Sequence, residues 1–364
     1  MKLTHDGQVS DAKAAYYVRA AMLAAGFPNT TAGSSVNRFC SSGLKAVQDI
    51  ANQIITGSIE CGVAIGAESM SVGGDRLERP FVPEIINASQ DAADCLQPMG
   101  QTSENVGKDF NITRAQQDQY AAESYQRAEA AQKAGWFDDE IAPITVKMDG
   151  KDVTLTRDEG PRYGTTYESL SKIRPAFPDF GDRSTGGNSS QVTDGAAAIM
   201  LMKRSKALEL KQPILAKYVG ATVAGLAPRI MGIGPSIAIP KLLSKLNISL
   251  DDCDVIEVNE AFASMAVYCK DTLKIPRDKM NVRGGAIALG HPLGCTGARQ
   301  IVTGLSECRR TKSRILLTSM WYVSFPSLPF PSLPIVGKFW LLILSFYSIG
   351  TGMGMAGLFV NEQL

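Results

Sequence analysis

The 364-residue chain contains no CxxC pair, no apolar run long enough to span a membrane, almost no net charge and only two histidines. Each scarcity excludes something. The seven cysteines (Cys40, Cys61, Cys95, Cys253, Cys269, Cys295, Cys308) are scattered, which argues against a zinc site and a disulfide framework and for a reducing compartment. The longest apolar stretch, Phe339 to Tyr347, is half of the roughly 18 residues a membrane span requires, and the first residues carry no apolar h-region. The chain therefore reads as soluble, and N-x-S/T triplets such as Asn111-Ile112-Thr113 read as chance matches. Thirty-seven basic against 36 acidic residues leave a net charge of +1, so no global field favours nucleic acid or an acidic membrane as partner.

What is present is α/β in texture, and the length suits two domains. Apolar spacing and alanine content predict a helix over "AKAAYYVRAAMLAAGF", closed by Gly26 and Pro28. A short strand, a turn of small residues, a long helix from about Ser42 and a buried strand follow. From about Val72 to Thr185 the sequence turns polar and charged around one amphipathic helix, which reads as an excursion from the core. A helix and a buried strand then close the first half. The second half repeats the pattern: "DCDVIEVNEAFASMAVYCKDTL" as strand into helix, "MNVRGGAIALGHPLGCTGARQIV" as strand, small-residue loop and helix, and "SRILLTSM" as a strand. Both halves place a reactive side chain in a glycine-rich turn that opens a helix.

Those two side chains are the first candidates. Cys40, in "VNRFCSSGLKAV", lies where a helix N-terminus favours thiolate over thiol, although a lone cysteine is more often a small buried hydrophobe. His291, in "GGAIALGHPLGCTGAR", suits a base at neutral pH or a structural hydrogen-bonding role, while His5 sits near an expected frayed end. Asn259 and Glu260 stand at a strand end in "VNEAFA", where an amide can hold a water or simply cap a helix. "MGQTSENVG" reads by default as a solvated loop, and "MGIGP" as either a ligand-contact loop or a plain turn. Gly352-x-Gly354-x-x-Gly357 matches a dinucleotide fingerprint in form only, because seven residues cannot supply a crossover helix and second strand. Those glycines read instead as letting backbone approach a reacting atom.

Taken together, "VNRFCSSGLKAV", "MGQTSENV", "GNSSQVTDGAAA", "MGIGP", "VNEAFA", "NVRGGAIALGHPLGCTGAR" and "IGTGMGMAGLFV" resemble the thiolase family, most closely its degradative peroxisomal branch. The resemblance covers about residues 10 to 320 and resumes at Ile349. It implies duplicated α/β/α/β/α layers, with an N-terminal half over 1–206 that carries a loop domain at about 72–185, and a C-terminal half over 212–364. It implies cleavage of 3-ketoacyl-CoA to acetyl-CoA and a shortened acyl-CoA in fatty-acid β-oxidation, with coenzyme A thioesters as substrates and no cofactor or metal. A homodimer, a peroxisomal location and no nucleic-acid or membrane partner come with it. By the same resemblance Cys40 is the nucleophile. His291 activates it and shares an oxyanion hole with a water held by Asn259, and Gly350 lends a second hole its N–H. A biosynthetic acetoacetyl-CoA thiolase is the nearer rival.

The departures matter as much. The family pattern places a second catalytic cysteine directly after "TSM", but here Met320 is followed by residues 321–348, a proline-rich apolar stretch with Lys338 as the only charge between Arg314 and Glu362. No cysteine follows Cys308. Trp321 is necessarily TGG and Ser348 is encodable by AGT, and excision from the last G of one through the AG of the other leaves TGT, a cysteine codon. Residues 321–348 accordingly read as a translated intron, and the literal chain as an impaired enzyme or a non-catalytic dimer partner. The family pattern also leads with strands ahead of this chain's first helix, which implies that the first sheet lacks them, and Arg283 replaces its usual asparagine.

Overall fold

The computed structural model describes residues 2–6, 13–71, 82–321 and 351–363. The chain opens with β1 (Lys2–Asp6), α1 (Lys13–Ala24), β2 (Ala32–Ser35), α2 (Ser42–Ile55) and β3 (Cys61–Glu68). The polar excursion holds α3 (Pro83–Ile86), α4 (Gln90–Asp94), α5 (Met99–Asp109), α6 (Arg114–Lys133), the hairpin β4 (Ile144–Met148) and β5 (Lys151–Leu155), and α7 (Tyr167–Leu170). β6 (Gly195–Met202) and α8 (Arg204–Glu209) follow. The remaining elements are β7 (Ala216–Gly225), α9 (Gly234–Leu246), β8 (Val255–Val258), α10 (Ala263–Leu273), α11 (Ala286–Leu289), α12 (Leu293–Thr311), β9 (Ile315–Trp321) and β10 (Met353–Asn361).

Two four-stranded sheets result, ordered β2-β1-β3-β6 and β7-β10-β9-β8. In the first, β1 pairs in parallel with β2 and β3, and β6 runs antiparallel on the edge. In the second, β10 runs antiparallel between β7 and β9, and β8 pairs in parallel with β9. α2 and α12 pack on each other, and each contacts strands of both sheets. They form the middle layer. α1 covers β1 and β2, while α9 covers β7, β10 and β9, with α10 packed against it.

Glycine makes the middle layer possible. A Cβ added to Gly43 of α2 would fall 2.6 Å from the Ala298 amide nitrogen and 2.8 Å from the Gly294 carbonyl oxygen of α12. One added to Gly297 of α12 would fall 2.5 Å from the Leu44 nitrogen. The two helices thus meet backbone to backbone, at a separation no side chain would allow.

Several expectations change. Lys2–Asp6 stands in the middle of the first sheet, with His5 registered between Ser35 and Ile65, where the reading expected a frayed end. The excursion is part of the core: α6 contributes Tyr120, Ala121, Tyr125 and Ala128 to the main hydrophobic cluster. Its start follows local chemistry, because Thr113 and Gln116 form a reciprocal capping box. Met99–Asp109 is a helix with Met99, Thr102, Ser103, Glu104 and Val106 buried, and not a solvated loop. β6 alternates exposed and half-buried positions as an edge strand, so it is not a buried one. "MNVRGG" forms no strand: Met280 makes one isolated bridge to Ile256, and the Asn281 side chain bonds the Val258 N–H and C=O, each at 2.8 Å. "MGIGP" is a buried 3₁₀ turn entering α9. Gly354 lies on β10 where an added Cβ would meet the Gly234 backbone at 2.7 Å, so this glycine lets strand approach helix.

Candidate active site

Cys40 sits in a 3₁₀ turn, Phe39–Ser41, that feeds α2. Phe39 is left-handed, with φ 50°, a conformation unusual for a bulky residue and held only where its surroundings fix it. The serines of "CSS" supply the fixing. The Ser42 hydroxyl accepts from the Arg38 N–H at 2.7 Å and donates to the Phe39 carbonyl at 2.6 Å, while Ser41 donates to the Arg38 carbonyl at 3.1 Å. The thiol is thereby fully buried at the entry of α2.

His291 occupies the matching place before α12. Gly290, at φ +93°, turns the chain in a space where an added Cβ would strike the Thr193 side chain at 2.5 Å. The His291 N–H then bonds the Gln191 carbonyl at 3.0 Å. Its Nε2 lies 3.0 Å from Cys40 Sγ and 3.2 Å from Asn259 Nδ2, and its Nδ1 lies 2.6 Å from Thr296 Oγ1. Burial, with the positive charge of Arg299 nearby, pushes the imidazole down to about 3. Near neutral pH the ring is uncharged.

Asn259 follows β8, and its N–H bonds the Ser319 carbonyl of β9 at 3.0 Å. Asn259 Oδ1 is buried without a protein partner among the described residues. Glu260, fully buried, accepts from Tyr120 Oη at 2.9 Å, Ser124 Oγ at 2.6 Å, Asn281 Nδ2 at 2.7 Å and the Ile287 N–H at 3.3 Å. That carboxylate ties α6 to the strand end carrying Asn259 and to the loop leading to His291. Arg283 is likewise no surface replacement: its guanidinium is buried against Glu307, Glu140 and the Trp136 carbonyl.

Three of the four expected site residues, Cys40, Asn259 and His291, therefore converge. Gly350 lies outside the described residues, as does nearly all of 321–348. Sequence reading missed Thr296 as a partner of the imidazole; the available signal was a hydroxyl five residues after His291, one turn into the helix that the histidine precedes. No disulfide joins any of the seven cysteines.

The thiolase N-terminal domain family matches residues 5–205, and the thiolase C-terminal domain family matches residues 212–323. The chain belongs to the thiolase family. Among curated thiolases, peroxisomal 3-ketoacyl-CoA thiolase A of Candida tropicalis is 47% identical over 351 residues, covering 94% of this chain and 78% of that protein. The dimeric peroxisomal thiolase of Saccharomyces cerevisiae superposes with a TM-score of 0.86 at 44% identity, over 99% of this chain and 84% of that one. A second structure of that yeast thiolase, described as five layers built from two core domains of identical topology, gives a TM-score of 0.73 at 38% identity, over 99% and 83%. The thiolase fold accounts for the layer order seen here, with α2 and α12 in the middle.

Proposed function

We propose that this thiolase takes the acyl group of a 3-ketoacyl-CoA onto Cys40 in peroxisomal fatty-acid β-oxidation, acting as a homodimer. The observation that carries the reading is the 3.0 Å contact between Cys40 Sγ and His291 Nε2. Nε2 takes the thiol proton as Sγ attacks the substrate's keto carbon. The C2–C3 bond breaks, its electrons leave with the acetyl-CoA fragment, and that fragment needs a proton from an acid. A free coenzyme A thiol then takes the acyl group from Cys40. The imidazolium Nε2–H and the Asn259 amide, aimed at the same spot, suit an oxyanion, where each preorganised donor contributes about 3 kcal/mol. The N–H of Gly350 would serve the second hole.

The acid is what the literal chain lacks, since no cysteine follows Cys308. Cys40 acylation from a thioester needs no carbon acid, whereas carbon–carbon cleavage does. The chain as written thus acylates and turns over negligibly, because removing one member of a coupled set costs orders of magnitude. β9 and β10 support reading 321–348 as extraneous. Trp321 pairs opposite Gly354, so a single cysteine replacing residues 321–348 would occupy that register position. Ile349 to Met353 would then join the strands, a five-residue connection of ordinary hairpin length. The literal chain also suits a second role, as a catalytically silent partner in a mixed dimer.

Incubation with acetyl-CoA followed by peptide mass spectrometry tests the reading: acetyl is expected on Cys40 and absent after Cys40→Ala. Acetylation of another cysteine, or none, overturns it.

A further inference from the structure

We infer that Thr296 is a positioning residue that fixes the tautomer of His291 and so decides whether the imidazole can take the Cys40 proton. This assignment rests on the reading of Cys40 as nucleophile and His291 as base. Thr296 stands in the first turn of α12, fully buried. Its Oγ1 is 2.6 Å from His291 Nδ1 and 3.1 Å from the Pro292 carbonyl oxygen.

The proton count follows from what each group can do. Thr296 Oγ1 lies within donating reach of the Pro292 carbonyl, which only accepts and also takes the Cys295 and Thr296 N–H groups, and we place the single hydroxyl proton there. The hydroxyl then presents a lone pair to Nδ1, and Nδ1 must bring its own proton. In a neutral imidazole that leaves Nε2 bare. Two groups stand where they can donate to a bare Nε2: the Asn259 amide at 3.2 Å and the Cys40 thiol at 3.0 Å.

Without the threonine hydroxyl, Nδ1–H would be a buried donor with no acceptor, and the other tautomer would be favoured. It has a ready partner. Asn259 Oδ1 is buried without a protein partner among the described residues, and a turn of the amide offers it to Nε2–H. In that tautomer Nε2 carries a proton already, and Cys40 has nowhere to send its own.

The chain helps the test, because it has only two histidines. Long-range ¹H–¹⁵N spectra of the full chain labelled at histidine, assigned with His5→Gln, read the tautomer of His291 directly. The wild type is expected to show a protonated Nδ1 and a bare Nε2 near neutral pH, and Thr296→Ser to show the same. Thr296→Val should shift the signal to Nε2–H and slow acetylation of Cys40 by acetyl-CoA about 10- to 100-fold, with Thr296→Ser close to wild type. A wild type with Nε2–H or an imidazolium overturns the inference, and this spectrum decides even if the valine variant does not fold. A folded valine variant overturns it if it keeps the wild-type tautomer, whatever its rate, or if it changes tautomer without losing rate. Should wild-type Cys40 not acetylate while the spectrum shows the stated tautomer, the nucleophile reading fails and, of the inference, only the fixing of the tautomer by Thr296 stands.

Discussion

Gly43→Ala probes the link between packing and chemistry. The new Cβ would start 2.6 Å from the Ala298 nitrogen and 2.8 Å from the Gly294 oxygen, where 3.0 Å is the least that real Cβ atoms show and 3.4 Å begins ordinary contact. Both obstacles are backbone, so no rotamer change relieves them. α2 and α12 must separate by about 0.4 Å (3.0 − 2.6) to 0.8 Å (3.4 − 2.6). Cys40 lies three residues before Gly43 and His291 three before Gly294, so the opening passes to their contact, which lengthens from 3.0 Å to about 3.4–3.8 Å. Overpacking of this kind costs about 1–3 kcal/mol of stability. Misplacement approaching 1 Å costs up to about 100-fold in rate. Single-turnover acetylation of Cys40, quenched and read by mass spectrometry, measures the rate, and urea denaturation measures the stability. Leu44→Ala is the control: Leu44 is fully buried, and its truncation costs about 2–5 kcal/mol through a cavity without pushing backbone apart. Acetylation at the wild-type rate in Gly43→Ala, or an equal loss in Leu44→Ala, would refute the argument.

Two further outcomes are expected. Between about pH 3 and 6.5 the unfolded chain protonates His291 and the folded chain does not, so its contribution to stability is lost as pH falls through that window, at about 1.4 kcal/mol per unit. His291→Asn removes that titration, and urea denaturation at pH 7 and pH 5 should show the wild type losing about 2 kcal/mol more than the variant, with equal losses counting against the buried neutral imidazole. Replacing residues 321–348 by one cysteine should restore thiolysis of 3-ketoacyl-CoA by at least about 100-fold over the literal chain, and a shortened chain that folds and acetylates Cys40 yet cleaves nothing would disprove that account of the segment.

Much of this was legible in the sequence because glycine, serine and histidine in the turns carry local meaning. "FCSSG" and "GHPLGCTG" each announced a reactive group before a helix, and the structure adds that their glycines are the contact surface between those helices. Burial was harder to read. α6 is rich in Gln, Glu, Arg and Ala, and no one-dimensional pattern shows that Tyr120 and Ser124 reach Glu260, 140 and 136 residues away. Arg283 looked like a lost asparagine because its partners, Glu140 and Glu307, are separated from it in sequence. Asn281 took the place of a strand with side-chain bonds that mimic a ladder, a substitution that residue type alone does not reveal.

The meeting of α2 with α12 also sets a clock. Cys40 leaves the ribosome 251 residues before His291, about 10–50 s earlier at ordinary synthesis rates. Through that interval the thiol is without the His291 imidazole that stands 3.0 Å from it in the fold. The nascent chain therefore travels with this thiol and its imidazole apart, and the two glycine-bearing helices bring them together only on docking.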